Sequence, residues 1–238
     1  ALQPLLASGL SISWAPEARA WADAQTRAYS RREVMLTHRR GDGLDDAATV
    51  QAGNGRMPMV HQCQAVWSLS EMGAGAGLKD DMGLGKTTSA LLAWHRAMVQ
   101  RGVHRVLVVC PKSVKLNWLQ EIEACFNGSL AQLRVYLIDG TASKRANTLS
   151  YMRHVAEKEP EQLGIAVVNY DLLRSMNELA WNSLEKWCAG QCVIADEFHY
   201  CKDLGSKRTK AVQHLMRLAS LRLGLTGTPV TNTVEDMF

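Results

Sequence analysis

Apolar and polar positions along this chain repeat in two ways. Val106-Leu107-Val108-Val109-Cys110 is an unbroken apolar, mostly β-branched run with no polar face of its own, so it predicts a strand buried on both sides of a sheet. Residues 133–138, 165–170 and 192–195 and the run from Leu221 predict further strands. Between these runs the spacing changes to that of helices. Residues 59–72 fit a short amphipathic helix, and a helix starting at Lys86 carries Ala90-Leu91-Leu92-Ala93-Trp94. Residues 114–126 form another, with Ser113 as its expected N-cap. Residues 141–159 predict a polar helix bearing Lys144, Arg145 and Arg153. Strands alternating with helices predict an α/β domain with a mostly parallel sheet, right-handed crossovers and helices on both faces.

The first 57 residues read differently. Trp14, Trp21, Ala28 and Met35 recur every seven positions, Pro16 suits a first helical turn, and Arg31, Arg32, Arg39 and Arg40 charge the far end. This predicts a packing helix over 14–40. Residues 41–57, rich in Gly and Asp, predict a polar loop. The expected organisation is a helical extension over 1–57 and one domain over 58–238.

Composition narrows the class. Hydrophobic residues make up 47% and charged residues 21% of the chain, enough for a sizeable core, and no apolar run approaches the ~20 residues of a membrane span. No signal peptide is read at the start. Six scattered cysteines, several in strand-like surroundings, point to reduced thiols and an intracellular, reducing compartment. Cys188, Cys192, His199 and Cys201 lie near one another in sequence, but Cys192 opens a strand, so no structural metal is expected. The net charge of +4 permits a nucleic-acid partner without requiring one.

The candidate chemistry centres on Asp80-Asp81-Met82-Gly83-Leu84-Gly85-Lys86-Thr87-Thr88. A glycine-rich turn opening into a helix at a lysine makes a phosphate cradle. Gly83 and Gly85 allow backbone N–H groups to turn inward, and the helix N-terminus adds unpaired donors and partial positive charge. Lys86 is expected to reach the β- and γ-phosphates and the Thr87 hydroxyl to ligate Mg²⁺. Asp80 stands where the strict P-loop pattern has glycine. Upstream, Gln62 and Gln64 both offer an amide suited to an adenine edge, and spacing does not choose between them. Downstream, an apolar strand delivers Asp196 and Glu197 at its C-terminal end, where ligands bind in open parallel sheets. Asp196 is expected to hold Mg²⁺, and Glu197 to orient or deprotonate the attacking water.

These elements, in this order, resemble the first RecA-like lobe of the Swi/Snf-type ATPases, a branch of the superfamily 2 helicase-like motors. Val60-His61-Gln62 resembles the family's glutamine motif, which favours Gln62 as the adenine reader. Asp80 through Thr87 is similar to motif I, where the aspartate is usual. Cys110-Pro111-Lys112-Ser113 with Asn117-Trp118 resembles motif Ia, and Val168-Asn169-Tyr170-Asp171-Leu172-Leu173 motif Ib. Asp196-Glu197-Phe198-His199 stands at motif II, with Phe198 where the family usually has a small residue. The segment 206–211 resembles the basic stretch that follows, and Leu225-Thr226-Gly227-Thr228-Pro229 motif III. The resemblance covers about residues 58–238.

The resemblance implies a RecA-like P-loop lobe that hydrolyses ATP with Mg²⁺ and moves on double-stranded DNA. A strand-separating helicase, or a docking module that binds nucleotide without turnover, are the alternatives. Lys112, Ser113, Asn169, Lys207 and Arg208 would contact DNA phosphates; residues 198–222 hold six Lys and Arg against Asp203 alone. His199, Thr226, Gly227 and Thr228 would couple the ATP site to DNA. A second RecA-like lobe of the same full-length protein, carrying an arginine finger, is expected beyond this chain.

Overall fold

The computed structural model describes residues 58–72, 75–81, 83–126, 130 and 132–227. The expected 14–40 helix, the 41–57 loop, the boundary after residue 57, Met82 and Thr228 lie outside these.

Six parallel strands form one sheet in the order β1-β6-β5-β2-β4-β3. They are β1 (Ala76–Lys79), β2 (Arg105–Cys110), β3 (Arg134–Leu137), β4 (Gly164–Asn169), β5 (Cys192–Ala195) and β6 (Leu221–Thr226). The helices are α1 (Val60–Met72), α2 (Lys86–Arg101), α3 (Lys115–Phe126), α4 (Ala142–Lys158), α5 (Tyr170–Arg174), α6 (Glu178–Cys188) and α7 (Lys207–Leu218). Short 3₁₀ turns occupy Lys112–Val114 and Phe198–Cys201.

The apolar runs form strands because both faces of the sheet are covered. Val106, Val108 and Cys110 of β2 join Leu91 and Trp94 of α2 and Trp118 of α3 in one core. Leu107 and Val109 face the other way, with Met152 of α4, Trp187 of α6 and Leu215 of α7. Every residue of β2 and β4 is buried. At Gly164 a Cβ would stand 2.5 Å from the Trp187 ring, so glycine there lets the indole lie against the strand.

Three elements differ from expectation, the first being β4, which ends at Asn169 so that Tyr170 opens the short helix α5. Ser113 does not cap α3. Pro111 fixes the entry, the Val114 N–H donates to the Pro111 carbonyl at 3.2 Å, and the chain makes a 3₁₀ turn first, so α3 begins at Lys115. Ser113 is left exposed. Helix α6 is an addition to the expected alternation. Asn177 caps it, accepting from the Ala180 N–H at 3.0 Å, and Leu184, Trp187 and Cys188 bury its inner face.

The order β1-β6-β5 sets three strand ends side by side, with Lys79 level with Thr226 and Ala195 level with Gly224. β2 and β4 adjoin on the far side of β5. One end of the sheet thus carries the strand ends that lead into Asp80, Pro111, Tyr170, Asp196 and Gly227.

Candidate nucleotide and nucleic-acid site

The glycine turn leads from β1 into α2. Gly83 and Gly85 have φ of 85° and 75°, left-handed values that favour glycine. A Cβ on Gly85 would stand 2.2 Å from the Gln62 Nε2. Gln62 is buried and Gln64 exposed, so the structure puts Gln62 against the cradle. Its Oε1 accepts from the Met59 N–H at 2.9 Å, and its Nε2 donates to the Leu84 carbonyl at 3.2 Å. His61 Nε2 lies 3.2 Å from the same carbonyl. The Lys86 ammonium folds back over the turn and donates to the carbonyls of Asp80 (2.8 Å) and Asp81 (3.0 Å). Thr87 sits in the first turn of α2. The Thr88 hydroxyl instead donates to Glu121 of α3 at 3.1 Å, so of the two threonines Thr87 could supply a hydroxyl to a metal.

Asp196 follows the last residue of β5. Its Oδ2 accepts from the Trp118 indole N–H at 2.8 Å, and its Oδ1 from the Glu197 backbone N–H at 2.9 Å. Burial raises its pKa above the ordinary 3.8; these two hydrogen bonds and, more weakly, Lys86 act against that rise. Glu197 is the one non-glycine residue with positive φ among those described, at φ 48° and ψ 53°. Such backbone costs of order 1–3 kcal/mol and persists only where neighbours determine it. Its buried Oε2 lies 3.2 Å from His199 Nδ1, at ion-pair distance but outside hydrogen-bond geometry. His199 Nδ1 is also 3.4 Å from the Thr226 hydroxyl at the end of β6. Glu197, His199 and Thr226 thus form one chain across two adjacent strands, and Gly227 follows directly.

Phe198 is accommodated by its neighbour. A Cβ at Gly224 of β6 would stand 3.1–3.4 Å from the Phe198 ring, so the large residue in motif II sits over a strand position with no side chain.

The candidate DNA residues divide. Lys112 and Ser113 face Tyr200 and Arg208 across a groove of about 530 Å³. Arg208 and Lys207 continue into a second groove of about 470 Å³ with Arg174 and Lys202. Asn169 does not belong with them. It is 4% exposed, and its Oδ1 caps α5 by accepting from the Leu172 N–H at 2.9 Å, so its side chain is occupied within the fold and positions α5.

Sequence reading gave no role to two residues that touch the acidic pair. Trp118 was part of a motif resemblance, and its signal was faint: a tryptophan on a helix's buried face needs a partner for its N–H. Tyr170 donates its hydroxyl to the Asp196 carbonyl at 2.6 Å, and nothing in its spacing announces that. The six cysteines are all buried and unpaired in disulfides. Burial pushes Cys110 up to about 12 and Cys125 and Cys201 to about 11, which keeps these thiols protonated and inert. Among the described residues no helix is long and apolar enough to cross a membrane.

Comparison with known proteins accords with this geometry. The profile of the SNF2-related domain family matches residues 61–238. Protein CHROMATIN REMODELING 19 of Arabidopsis thaliana is 34% identical over 171 residues, which are 69% of this chain and 21% of that protein. ATP-dependent helicase fft2 of Schizosaccharomyces pombe is 36% identical over 67% of this chain and 12% of its own length. The chain therefore spans about a fifth or less of these relatives. Among solved structures, the Sulfolobus solfataricus SWI2/SNF2 ATPase core in complex with dsDNA superposes with a TM-score of 0.59 at 25% identity, covering 78% of this chain and 35% of that one. The UvsW helicase of bacteriophage T4, at 13% identity and a TM-score of 0.55 over 82% of this chain and 63% of its own, shares the fold. The six-stranded parallel sheet is a RecA-like lobe, and the chain belongs to the SNF2-related domain family.

Proposed function

We propose that this chain is the ATP-binding lobe of a double-stranded-DNA-dependent ATPase, a translocase of the Swi/Snf type. One observation carries the reading. Two adjacent carboxylates in unlike environments, Asp196 and Glu197, share one sheet end with a glycine cradle that ends in Lys86.

The residues fit ATP and Mg²⁺. A Cβ would fill the cradle turn at Gly85, and the buried Glu197 Oε2 has no hydrogen-bond partner. Asp80, Asp81, Gly83, Leu84 and Gly85 shape the turn. Lys86 exchanges its two loop carbonyls for phosphate oxygens, and Gln62 turns its amide to the adenine. Thr87 and Asp196 are the pair that would hold Mg²⁺, which neutralises phosphate charge when bound. Glu197, angled by its left-handed backbone, takes the proton of the attacking water. His199 and Thr226, with Gly227 and Thr228, pass its state along the strand ends.

Lys112, Ser113, Lys207 and Arg208 grip the phosphate backbone, giving sequence-independent, salt-sensitive binding. The relative solved with dsDNA supports that partner, and relatives named for chromatin remodelling support a place in the compartment where DNA is held. A second RecA-like lobe of the same full-length protein supplies the arginine that stabilises the transition state, worth about 10³–10⁵ in rate. The test is steady-state ATP hydrolysis by residues 1–238, alone and joined to a second lobe, with saturating duplex DNA. Slow turnover alone and DNA-stimulated turnover when joined are expected. DNA-insensitive hydrolysis by the joined protein overturns the reading.

A further inference from the structure

A stacked aromatic pair, Tyr170 buried and Tyr200 exposed, links the basic groove to the backbone between the two acidic residues. The peptide joining Asp196 to Glu197 is held at both ends. Its N–H donates to Asp196 Oδ1 at 2.9 Å, and its carbonyl accepts from the Tyr170 hydroxyl at 2.6 Å. The orientation of this peptide sets where Glu197 points, because Glu197 rests in the left-handed region, which a non-glycine residue leaves when its support is withdrawn.

Tyr170 is 2% exposed, and burial pushes its phenol well above its ordinary range, so it remains a neutral donor. Its ring stacks on Tyr200, with centroids 5.6 Å apart and planes 7° from parallel. Tyr200 is 42% exposed and forms a wall of the groove that also holds Lys112 and Ser113. The Arg208 guanidinium lies 5.9 Å from the Tyr170 ring and 5.4 Å from the Tyr200 ring, and pairs with Asp171, the residue after Tyr170, at 3.3 Å. Arg208 is therefore at once a cation of the groove and a partner of the tyrosine stack.

We propose that Tyr170 is a positioning residue for hydrolysis, and that Tyr200 and Arg208 transmit to it the occupancy of the groove by a phosphodiester backbone. The inference rests on the functional reading above. An anion in the groove draws Arg208 from Asp171 and from the two rings, so it interacts differently with the stacked and released arrangements. A ligand shifts an equilibrium only through such a difference. The released stack changes the hydroxyl's grip on the Asp196 carbonyl and so the angle of Glu197. This route adjoins the one through His199 and Thr226, since the His199 and Tyr200 ring centroids lie 5.0 Å apart.

The coupling must be reciprocal, which makes it measurable without turnover. The experiment is titration of a fluorescent mixed-sequence duplex into the 238-residue chain, with and without a saturating non-hydrolysable ATP analogue and Mg²⁺. In the wild type, nucleotide should change duplex affinity at least about fivefold. In Tyr170→Phe, which removes the hydroxyl and keeps the ring, that factor should fall to within about twofold of unity, while duplex alone and nucleotide alone bind as before. Tyr200→Phe keeps the stack and should keep the coupling; Tyr200→Ala should lose it. Full coupling in Tyr170→Phe overturns the proposal. So does a wild type that binds both ligands without coupling, or a Tyr170→Phe variant that loses nucleotide binding and thermal stability together, which marks a structural role. A wild type that binds neither ligand overturns the functional reading, and the proposal with it.

Discussion

Replacing Trp118 by Phe removes a single donor from the buried carboxylate expected to meet the metal. The indole N–H lies 2.8 Å from Asp196 Oδ2, and burial already lifts Asp196 above its ordinary 3.8. A hydrogen bond to a charged group contributes about 1.5–3 kcal/mol, and one pKa unit corresponds to about 1.36 kcal/mol. Trp118→Phe should therefore move Asp196 up further, because the ionised carboxylate loses a donor that favours it. The sign follows from which form is charged. The native state holds the proton more tightly than the unfolded chain, so ionising Asp196 costs stability. That cost is absent below 3.8 and grows as pH rises through the folded value. The variant carries this window to higher pH, and Mg²⁺-dependent nucleotide binding, which needs the carboxylate ionised, should follow it. The assay is affinity for Mg-nucleotide from pH 5 to 9, with thermal unfolding to separate the loss of packing. A binding midpoint at higher pH than in the wild type is expected. Superimposable profiles would refute the role given to Trp118.

Glu197→Gln should keep nucleotide affinity within about threefold and abolish hydrolysis in the two-lobed protein, since the water loses its base; normal turnover would remove Glu197 from that role. Gly224→Ala should cost about 1–3 kcal/mol by crowding the Phe198 ring, Phe198→Ala about 3–5 kcal/mol by leaving a void, and the double variant less than the sum, all read by denaturant unfolding. Strict additivity would show that the two positions do not share space. Duplex binding should fall steeply with salt, and Lys112→Ala or Arg208→Ala should each lower the log–log salt slope by about one; an unchanged slope excludes that residue from phosphate contact.

The fold was legible because a strand buried on both faces admits little but apolar residues. The run 106–110 could form no half-exposed strand, and its depth in the core follows. The glycine turn and Asp196-Glu197 stand out in the sequence for the opposite reason: charged side chains gathered at the ends of such runs suit phosphate and metal chemistry. What escaped depends on distance in sequence. Trp118 and Asp196 are bonded across 78 positions, and Tyr170 and Asp196 across 26; hydrophobic period carries no signal for such pairings. Phe198 reads as an anomaly until Gly224 is placed beneath it. Asn169 and Ser113 show a local limit, since a polar side chain after a strand suits a cap and a phosphate contact equally. The structure spends Asn169 on α5, and Pro111 shifts the start of α3 past Ser113.

The most direct test of the nucleotide site is calorimetric titration of Mg-ATP into the chain and into Lys86→Ala. Lys86 now holds the Asp80 and Asp81 carbonyls, so its removal takes the cradle's own cation away. One molecule of Mg-ATP should bind the wild type, and affinity should drop at least ~10-fold in the variant, about 1.4 kcal/mol. Equal affinity in the two proteins would contradict the assignment of this turn as a phosphate cradle.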